Sequence, residues 1–207
     1  MDTIVYVDGF NLYYGAVRNT PYKWLNIQTL CHLLLPQHNI VKIKYYTAKV
    51  SARPGDPGQP VRQQTFLRAL KTIPNLDIIY GQFLQSKVSM PVANPQPGAP
   101  KFVTVVKTEE KGSDVNIASH MIHDGHLGLY DTAVIVSNDS DLVEPVKIVR
   151  YELGKAVGML NPHNRPSYSL RQYVTFIKKI RKGVLRQSQF PVQLTDALGS
   201  FHKPSTW

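Results

Sequence analysis

Apolar and polar residues alternate along this chain in blocks whose period changes. Four short runs rich in β-branched and aromatic residues are typical of buried strands: 3–7, 41–50, 132–136 and 156–160. Between these runs, apolar residues recur at helical spacing and predict five helices: 24–36, 61–73, 114–124, 141–152 and 167–180. Such alternation predicts an α/β fold in which a mostly parallel sheet carries helices on both faces.

Two further strand-like runs, 76–90 and 101–108, flank the proline-rich stretch "PVANPQPGAP". They predict a long hairpin at the sheet edge, over about residues 76–108. Residues 184–207 show no clear periodicity and are either an ordered arm or a disordered tail. We therefore predict a domain over 1–183 followed by a C-terminal tail.

The charge of the chain favours a polyanionic partner. Its 24 Lys and Arg residues exceed its 14 Asp and Glu residues, for a net charge of +10. The excess is concentrated in residues 41–112, with eleven basic and four acidic residues, and in 147–186, with ten and one. Because neutralised phosphates release counterions, this balance indicates nucleic acid as the partner.

The sequence also predicts a cytoplasmic protein that makes no membrane contact. Cys31 is the single cysteine, so no internal disulfide can form and a reducing compartment is expected. The apolar run "LCHLLL" is too short to cross a bilayer, and the N-terminus lacks the pattern of a signal peptide.

Acidic residues are scarce, yet four of the ten aspartates fall on turns that should face one edge of the sheet. Asp8 ends the first strand in "TIVYVDGFNLYYG", and Asp139 and Asp141 follow another strand in "VIVSNDSDL". Asp114 lies in the first turn of the helix that leads to that second strand. Parallel sheets bind ligands at the carboxyl ends of their strands, so we expect these carboxylates to converge.

Clustered carboxylates repel one another and must hold either protons or a cation. Their oxygen atoms suit one or two Mg²⁺ or Mn²⁺ ions, which can activate water for attack on a phosphodiester. Each acid taken alone is equally compatible with a turn or a helix cap. Their coincidence at one predicted edge favours a metal cluster.

Other acidic-cluster folds fit less well. Haloacid-dehalogenase-type phosphatases carry a second aspartate two residues after the first, where this chain has Phe10. Toprim-type nucleases carry glutamate after the first strand, where this chain has Asp8. The chain also contains neither a Walker loop nor a G-x-G-x-x-G sequence.

Four ordered motifs carry a resemblance to a known family: "VDGFNLYYG" (7–15), "EKGSDVNIA" (110–118), "AVIVSNDSDLVEPV" (133–146) and "GKAVGML" (154–160). Together they resemble the NYN domain, a branch of the PIN-like ribonuclease superfamily, and within it the LabA-like bacterial group. The resemblance covers about residues 3–182. It implies a PIN-like three-layer sandwich with an edge hairpin, and a metal-dependent nuclease that cuts RNA.

The resemblance also implies roles for individual residues. The implied metal ligands are Asp8, Asp114 and Asp139. Asp141 would be a fourth acid near them, and Asn11 would contact the scissile phosphate or orient a carboxylate. Ser137 and Asn138 would shape the turn and hydrogen-bond a ligand acid. Many PIN domains carry glutamate where this chain has Asp114, which leaves the number of metal ions open.

Two further sets of residues invite a functional interpretation. Arg62 and Arg68 lie on the predicted helix 61–73, where they either contact phosphate or belong to a solvated face. His120, His123 and His126 follow one another at a spacing of three, which spirals around a helix. We interpret the histidines as part of a surface helix rather than as a zinc site.

Three functions compete at this stage: a metal-dependent ribonuclease, a non-catalytic nucleic-acid-binding or regulatory module that retains the acids, and a phosphatase acting on small phosphoesters. The choices between RNA and DNA and between endonuclease and exonuclease stay open. The long hairpin and the tail offer surfaces for a homodimer.

Overall fold

The computed structural model describes residues 1–53 and 55–207. The strands are, in chain order, β1 (Asp2–Asp8), β2 (Asn39–Thr47), β3 (Leu76–Tyr80), β4 (Gln82–Pro91), β5 (Phe102–Lys111), β6 (Thr132–Val136), β7 (Ala156–Asn161), β8 (Phe176–Lys179), β9 (Gln193–Asp196) and β10 (Gly199–His202). The helices are α1 (Gly9–Leu12), α2 (Ile27–Leu34), α3 (Gln59–Leu70), α4 (Ser113–His126), α5 (Val143–Lys147), α6 (Tyr168–Arg171) and α7 (Lys182–Gln187). Within the described ranges, no helix is long and apolar enough to cross a membrane.

Six strands form the central sheet in the order β3-β2-β1-β6-β7-β8, and all neighbouring pairs are parallel. The chain builds one half of the sheet outward from β1 and the other half outward from β6. The connection that follows β1 therefore runs towards one edge of the sheet, and the connection that follows β6 runs towards the other edge. In sheets of this kind, ligands bind in the crevice at such a switch point.

Alternating side chains of β1 divide the core into two layers. Val5 and Val7 pack into the larger hydrophobic cluster, which includes residues of α2 and α3. Ile4 and Tyr6 pack into the second cluster, which includes residues of α4 and α5. Helices therefore cover both faces of the parallel sheet, which confirms the predicted PIN-like three-layer sandwich.

The hairpin exists but begins later than the sequence predicts. Leu76–Tyr80 pairs with β2 in the central sheet, while β4 and β5 pair with each other in a separate antiparallel sheet from Gln82 to Lys111. Gly81 separates the two strands at a tight contact, because an added Cβ there would overlap Oε1 of Glu110. The run 76–90 is thus two strands.

The predicted helix over 167–180 is wrong for most of its length. Helix α6 ends at Arg171, and Phe176–Lys179 instead forms β8 at the edge of the sheet. The backbone N–H of Thr175 already donates to the carbonyl of Val157, at 2.6 Å. The apolar residues at helical spacing also suit a short strand, and pairing with β7 decides between the two.

Residues 184–207 are ordered and pack on the larger core. Trp24 is fully buried, and four aromatic rings surround it with centroids 5.7 to 6.5 Å away: Phe66, Phe190, Phe201 and Trp207. Its indole N–H donates to the carbonyl of Pro191 at 2.7 Å. The division of the chain into a domain and a tail stays a prediction.

Candidate active site

Asp8 lies at the carboxyl end of β1 and caps the short helix that follows. Its Oδ1 accepts a hydrogen bond from the backbone N–H of Asn11 at 2.9 Å. The next residue must be glycine, because a Cβ on Gly9 would lie 2.7 Å from both the Tyr45 ring and the carbonyl oxygen of Tyr46. Asp8 therefore lies where the carboxyl ends of the paired strands β1 and β6 meet, at the crevice in which parallel sheets bind ligands.

Ser137 joins Asp8 to the acids that follow β6. Its buried hydroxyl donates to Oδ2 of Asp8 at 3.3 Å and accepts from the backbone N–H of Asp139 at 3.2 Å. Asp139 in turn caps the helical turn after it, since its Oδ1 accepts from the backbone N–H of Asp141 at 3.1 Å. One hydroxyl thus sets the relative position of two predicted ligand acids.

Asn11 joins the turn after β1 to the turn after β6. Its Oδ1 accepts from the backbone N–H of Asn138 at 3.0 Å and lies 3.1 Å from Nε2 of His163. The side chain of Asn138 continues the network: it donates to the carbonyl of Arg165 at 3.2 Å and accepts from the backbone N–H of Ser167 at 2.6 Å. The two asparagines therefore tie together the turns that follow β1, β6 and β7.

His163 is a site residue that the sequence analysis missed. It lies two residues beyond β7, and its ring packs so closely on Gly15 that a Cβ there would lie 2.7 Å from its Nε2. The available signal was its place in "NPHN" after a buried strand, at the same edge of the sheet as the acids. That signal becomes useful only when β7 is known to neighbour β6.

Asp114 approaches the same crevice from the first turn of α4. Burial raises its pKa to about 6, and the negative charges of Asp139, Glu110 and Asp141 add to this effect. Glu110 is held nearby because its Oε1 accepts from the hydroxyl of Ser113 at 2.9 Å. Glu110 is thus a further acid beside Asp114.

Asp8 has a perturbed pKa for similar reasons. Burial raises its pKa to about 6, against the lowering effect of the hydrogen bonds from Asn11 and Ser137, while the charges of Asp114 and Asp139 raise it further. The structure therefore brings Asp8, Asp114 and Asp139 near enough to repel one another. Such a cluster favours a bound proton or a bound cation.

The residues fit a hydrated divalent ion better than a closed metal cage. Over residues 1–53 and 55–207, no three His, Cys, Asp or Glu side chains stand close enough to hold one ion together. Mg²⁺ commonly keeps several waters and uses only one or two protein carboxylates, with further oxygens from a phosphate. The donor set, all carboxylate oxygens, has the chemistry for that arrangement.

The two predicted phosphate-binding arginines already have acidic partners. Arg62 forms an ion pair with Asp56. Arg68 binds Asp196 through two nitrogen atoms, at 2.7 and 2.6 Å, and donates to the carbonyl of Gly199 at 2.9 Å. These contacts give Arg68 a role in holding β9 and β10 against α3. For both arginines, phosphate contact stays a prediction.

The model of the NYN domain family matches residues 2–185 of the chain. The chain belongs to the NYN domain family. The match confirms the resemblance that the four motifs indicated and places the chain among the PIN-like nucleases, which generally use divalent metal ions. Membership of the LabA-like group stays a prediction.

Known proteins similar to this NYN domain chain include a named enzyme and a solved structure. One is the 6-hydroxy-3-succinoylpyridine 3-monooxygenase HspA of Pseudomonas putida, 30% identical over an alignment of 235 residues that covers 99% of this chain and 75% of the relative. The other is a solved structure of a protein of unknown function from Vibrio parahaemolyticus, with a TM-score of 0.58 and 19% identity, covering 87% of this chain and 93% of that one. The latter shows a shared fold.

Proposed function

We propose that this NYN domain protein is a metal-dependent nuclease that hydrolyses phosphodiester bonds in RNA. One observation supports the proposal: burial raises the pKa of Asp8 and of Asp114 to about 6, and the negative charge of Asp139 raises both pKa values further. Acidic residues are scarce in a protein of net charge +10, so several of them at the ligand-binding edge of the sheet are not expected to occur together by chance. The family and the donor chemistry both agree with a catalytic cation there.

In this proposal, Asp8, Asp114 and Asp139 would surround a hydrated Mg²⁺ or Mn²⁺ ion, with one or two of them binding it directly and the others acting through its water molecules. Asp141 and Glu110 would add negative charge around the site. When bound, the ion supplies Lewis-acid stabilisation of the phosphate and lowers the pKa of a water. Ser137 orients Asp8 and Asp139 relative to each other through its hydroxyl.

Asn11 acts in the proposal as a positioning residue. Its carbonyl oxygen is already engaged by Asn138 and His163, so it fixes the turn that carries the acids. The positively charged segments of the chain would hold the nucleic-acid strand by phosphate contacts.

The test is cleavage of an end-labelled single-stranded RNA in Mg²⁺ or Mn²⁺ by the wild type, Asp8→Asn and Asp139→Asn. We expect each variant to lose activity roughly hundredfold or more, because each removes a charge required in the transition state. EDTA should abolish cleavage by the wild type. A DNA strand of the same sequence separates RNA from DNA as substrate.

Asp77→Asn is the matched control. Asp77 is an exposed carboxylate that pairs with Lys42 at 2.8 Å, away from the acidic crevice, so its loss should leave the rate unchanged. Unchanged cleavage by Asp8→Asn and Asp139→Asn would remove these acids from the chemistry. Tight RNA binding that EDTA does not alter, with no product after long incubation, would instead support a non-catalytic binding or regulatory module.

A second candidate function follows from the Pseudomonas relative. That protein is named as a monooxygenase of 6-hydroxy-3-succinoylpyridine, and its similarity extends over 99% of this chain. The candidate predicts oxygen-dependent consumption of that pyridine when a reduced nicotinamide or flavin is added as electron donor. If the protein cuts RNA but does not consume the pyridine, the monooxygenase candidate is excluded and the nuclease proposal stands.

A further inference from the structure

A cavity of about 100 Å³ lies beside the acidic crevice. Gly9 and Phe10, the two residues after Asp8, form part of its wall. Tyr45 lines the cavity, and burial raises the pKa of its hydroxyl, with a smaller contribution from the nearby charge of Asp8. The turn after β1 therefore joins a predicted ligand acid to the wall of this cavity.

Aromatic side chains dominate the wall of this cavity. Six of them line it: Phe10, Tyr13, Tyr14, Tyr45, Phe66 and Trp207. Tyr13 and Tyr14 meet edge to face with centroids 5.3 Å apart, and Phe66 meets Trp207 in the same way at 5.9 Å. Walls of this kind favour a flat aromatic ligand, which gains stacking and edge contacts that an aliphatic ligand lacks.

The size and the polar groups of the cavity restrict the ligand further. One water needs only about 10–15 Å³ of such space, whereas pockets for whole drug-sized ligands start at about 300 Å³. The cavity therefore suits a single ring system. Lys23 and Gln59 also line it and offer hydrogen-bond donors and a positive charge, while Arg62 and Asp56 line it as an ion pair. These donors suit a polar heterocycle attached to a phosphate.

We propose that this cavity binds one base of the nucleic-acid strand whose scissile phosphate lies at the neighbouring acids. The inference rests on the proposed nuclease function for the identity of the ligand. The shared chemistry is a planar aromatic heterocycle, which could also reach the cavity as a free small molecule. A base in this cavity would position the strand and would give the enzyme a preference among bases at one position.

The first experiment measures binding without cleavage. The wild-type protein in EDTA is titrated with uridine, cytidine, adenosine, guanosine and, separately, 2-hydroxypyridine, while tryptophan fluorescence is recorded. Trp207 lines the cavity and Trp24 is fully buried, so we expect a bound ring to quench mainly Trp207. Trp207→Phe, which keeps a ring, should lose most of that quenching.

Tyr14 offers the sharpest variants because its side chain is already 48% exposed and its loss should leave the fold intact. We expect Tyr14→Ala to weaken nucleoside binding about fivefold or more, and Tyr14→Phe to keep it. Tyr168→Ala is the matched control, since Tyr168 is an exposed tyrosine that does not line the cavity. In cleavage of a short RNA, Tyr14→Ala should raise KM with little change in kcat.

The outcomes separate this inference from the nuclease proposal. Nucleoside binding that depends on Tyr14 supports the cavity even if Asp8→Asn keeps full cleavage activity. Binding of 2-hydroxypyridine without binding of any nucleoside would overturn the assignment to a base and would indicate a free heterocycle. Absence of binding by every ring compound, with KM unchanged in Tyr14→Ala, would overturn the cavity as a ligand site.

Discussion

At the scale of single residues, the environment of Asp8 acts on its pKa in two opposite directions. Its carboxylate is buried, with 6% of the residue exposed, and receives hydrogen bonds from the Asn11 backbone and the Ser137 hydroxyl. These bonds lower its pKa, yet burial and the charges of Asp114 and Asp139 raise it to about 6. Burial and the repulsion from Asp114 and Asp139 therefore disfavour the ionised form of Asp8, and a bound cation would relieve this effect.

The raised pKa of Asp8 predicts that the free energy of unfolding depends on pH. The Asp8 carboxyl changes its pKa from 3.8 to about 6 on folding, so between these values the folded state binds more protons than the unfolded state. The free energy of unfolding should therefore fall as pH rises from about 4 to 6, and stay lower above that range. In EDTA at pH 7.5, we expect Asp8→Asn to unfold a few degrees above the wild type.

Thermal unfolding followed by circular dichroism checks this expectation. The advantage of Asp8→Asn should shrink as pH falls and vanish below about pH 3, where the wild-type carboxyl is protonated in both states. Asp77→Asn, at an exposed position, should behave like the wild type. Added Mg²⁺ should stabilise the wild type and not Asp8→Asn. Equal unfolding temperatures in EDTA at pH 7.5 would show that Asp8 carries no such strain.

At the scale of elements, β8 shows why periodicity alone misassigns a segment. Leu170, Val174 and Ile177 recur at helical spacing, yet only α6 forms as a helix in this region. The ring of Phe176 lies directly over Gly158 of β7, where an added Cβ would overlap it. The missing side chain of Gly158 lets Phe176 settle on the sheet, and the pairing of β8 with β7 follows.

Gly158→Ala tests this contact. We expect a loss of about 1–3 kcal/mol in the free energy of unfolding, because the added methyl group must displace Phe176 from a packed position. Gly183→Ala is the control, since no heavy atom lies within 4 Å of a Cβ at Gly183. Urea unfolding of both variants measures the difference. A Gly158→Ala variant as stable as Gly183→Ala would show that Phe176 has room to move.

At the scale of the whole molecule, the C-terminal segment closes the larger core and the aromatic cavity. Trp207 contacts Trp24 and Phe66, and the ion pair between Arg68 and Asp196 holds β9 and β10 to α3. Arg68 also stacks on Phe201, with its guanidinium carbon 4.2 Å from the ring centroid. The segment after β8 is therefore part of the architecture around the proposed base site.

Arg68→Ala distinguishes this structural role from the phosphate contact that the sequence predicted. In an Asp139→Asn background, which should prevent cleavage, RNA affinity is measured by fluorescence anisotropy over a range of salt concentrations. We expect Arg68→Ala to lower the unfolding temperature and to leave the salt dependence of RNA affinity unchanged. A decrease of about one in the slope of log affinity against log salt would instead assign Arg68 to a phosphate.

Local sequence patterns were sufficient to predict several strands, the turns that follow them and the fold class. The strand over 132–136 is found at the predicted residues, because a run of β-branched residues and one alanine in a parallel sheet is buried on both faces. The sequence also predicted site residues at Asp8, Ser137 and Asp139, because these polar residues follow such strands directly. The alternation of strands and helices also determined the fold class.

Only the tertiary structure decided which strands are neighbours, and hence which turns meet. Asn11 and His163 are 152 positions apart, and their contact depends on β6 lying between β1 and β7 in the sheet. The aromatic cavity depends in the same way on the C-terminal segment folding back to bring Trp207 near Tyr45 and Phe66. Local sequence governs backbone conformation, whereas strand order and long-range packing reflect the burial of the whole apolar surface.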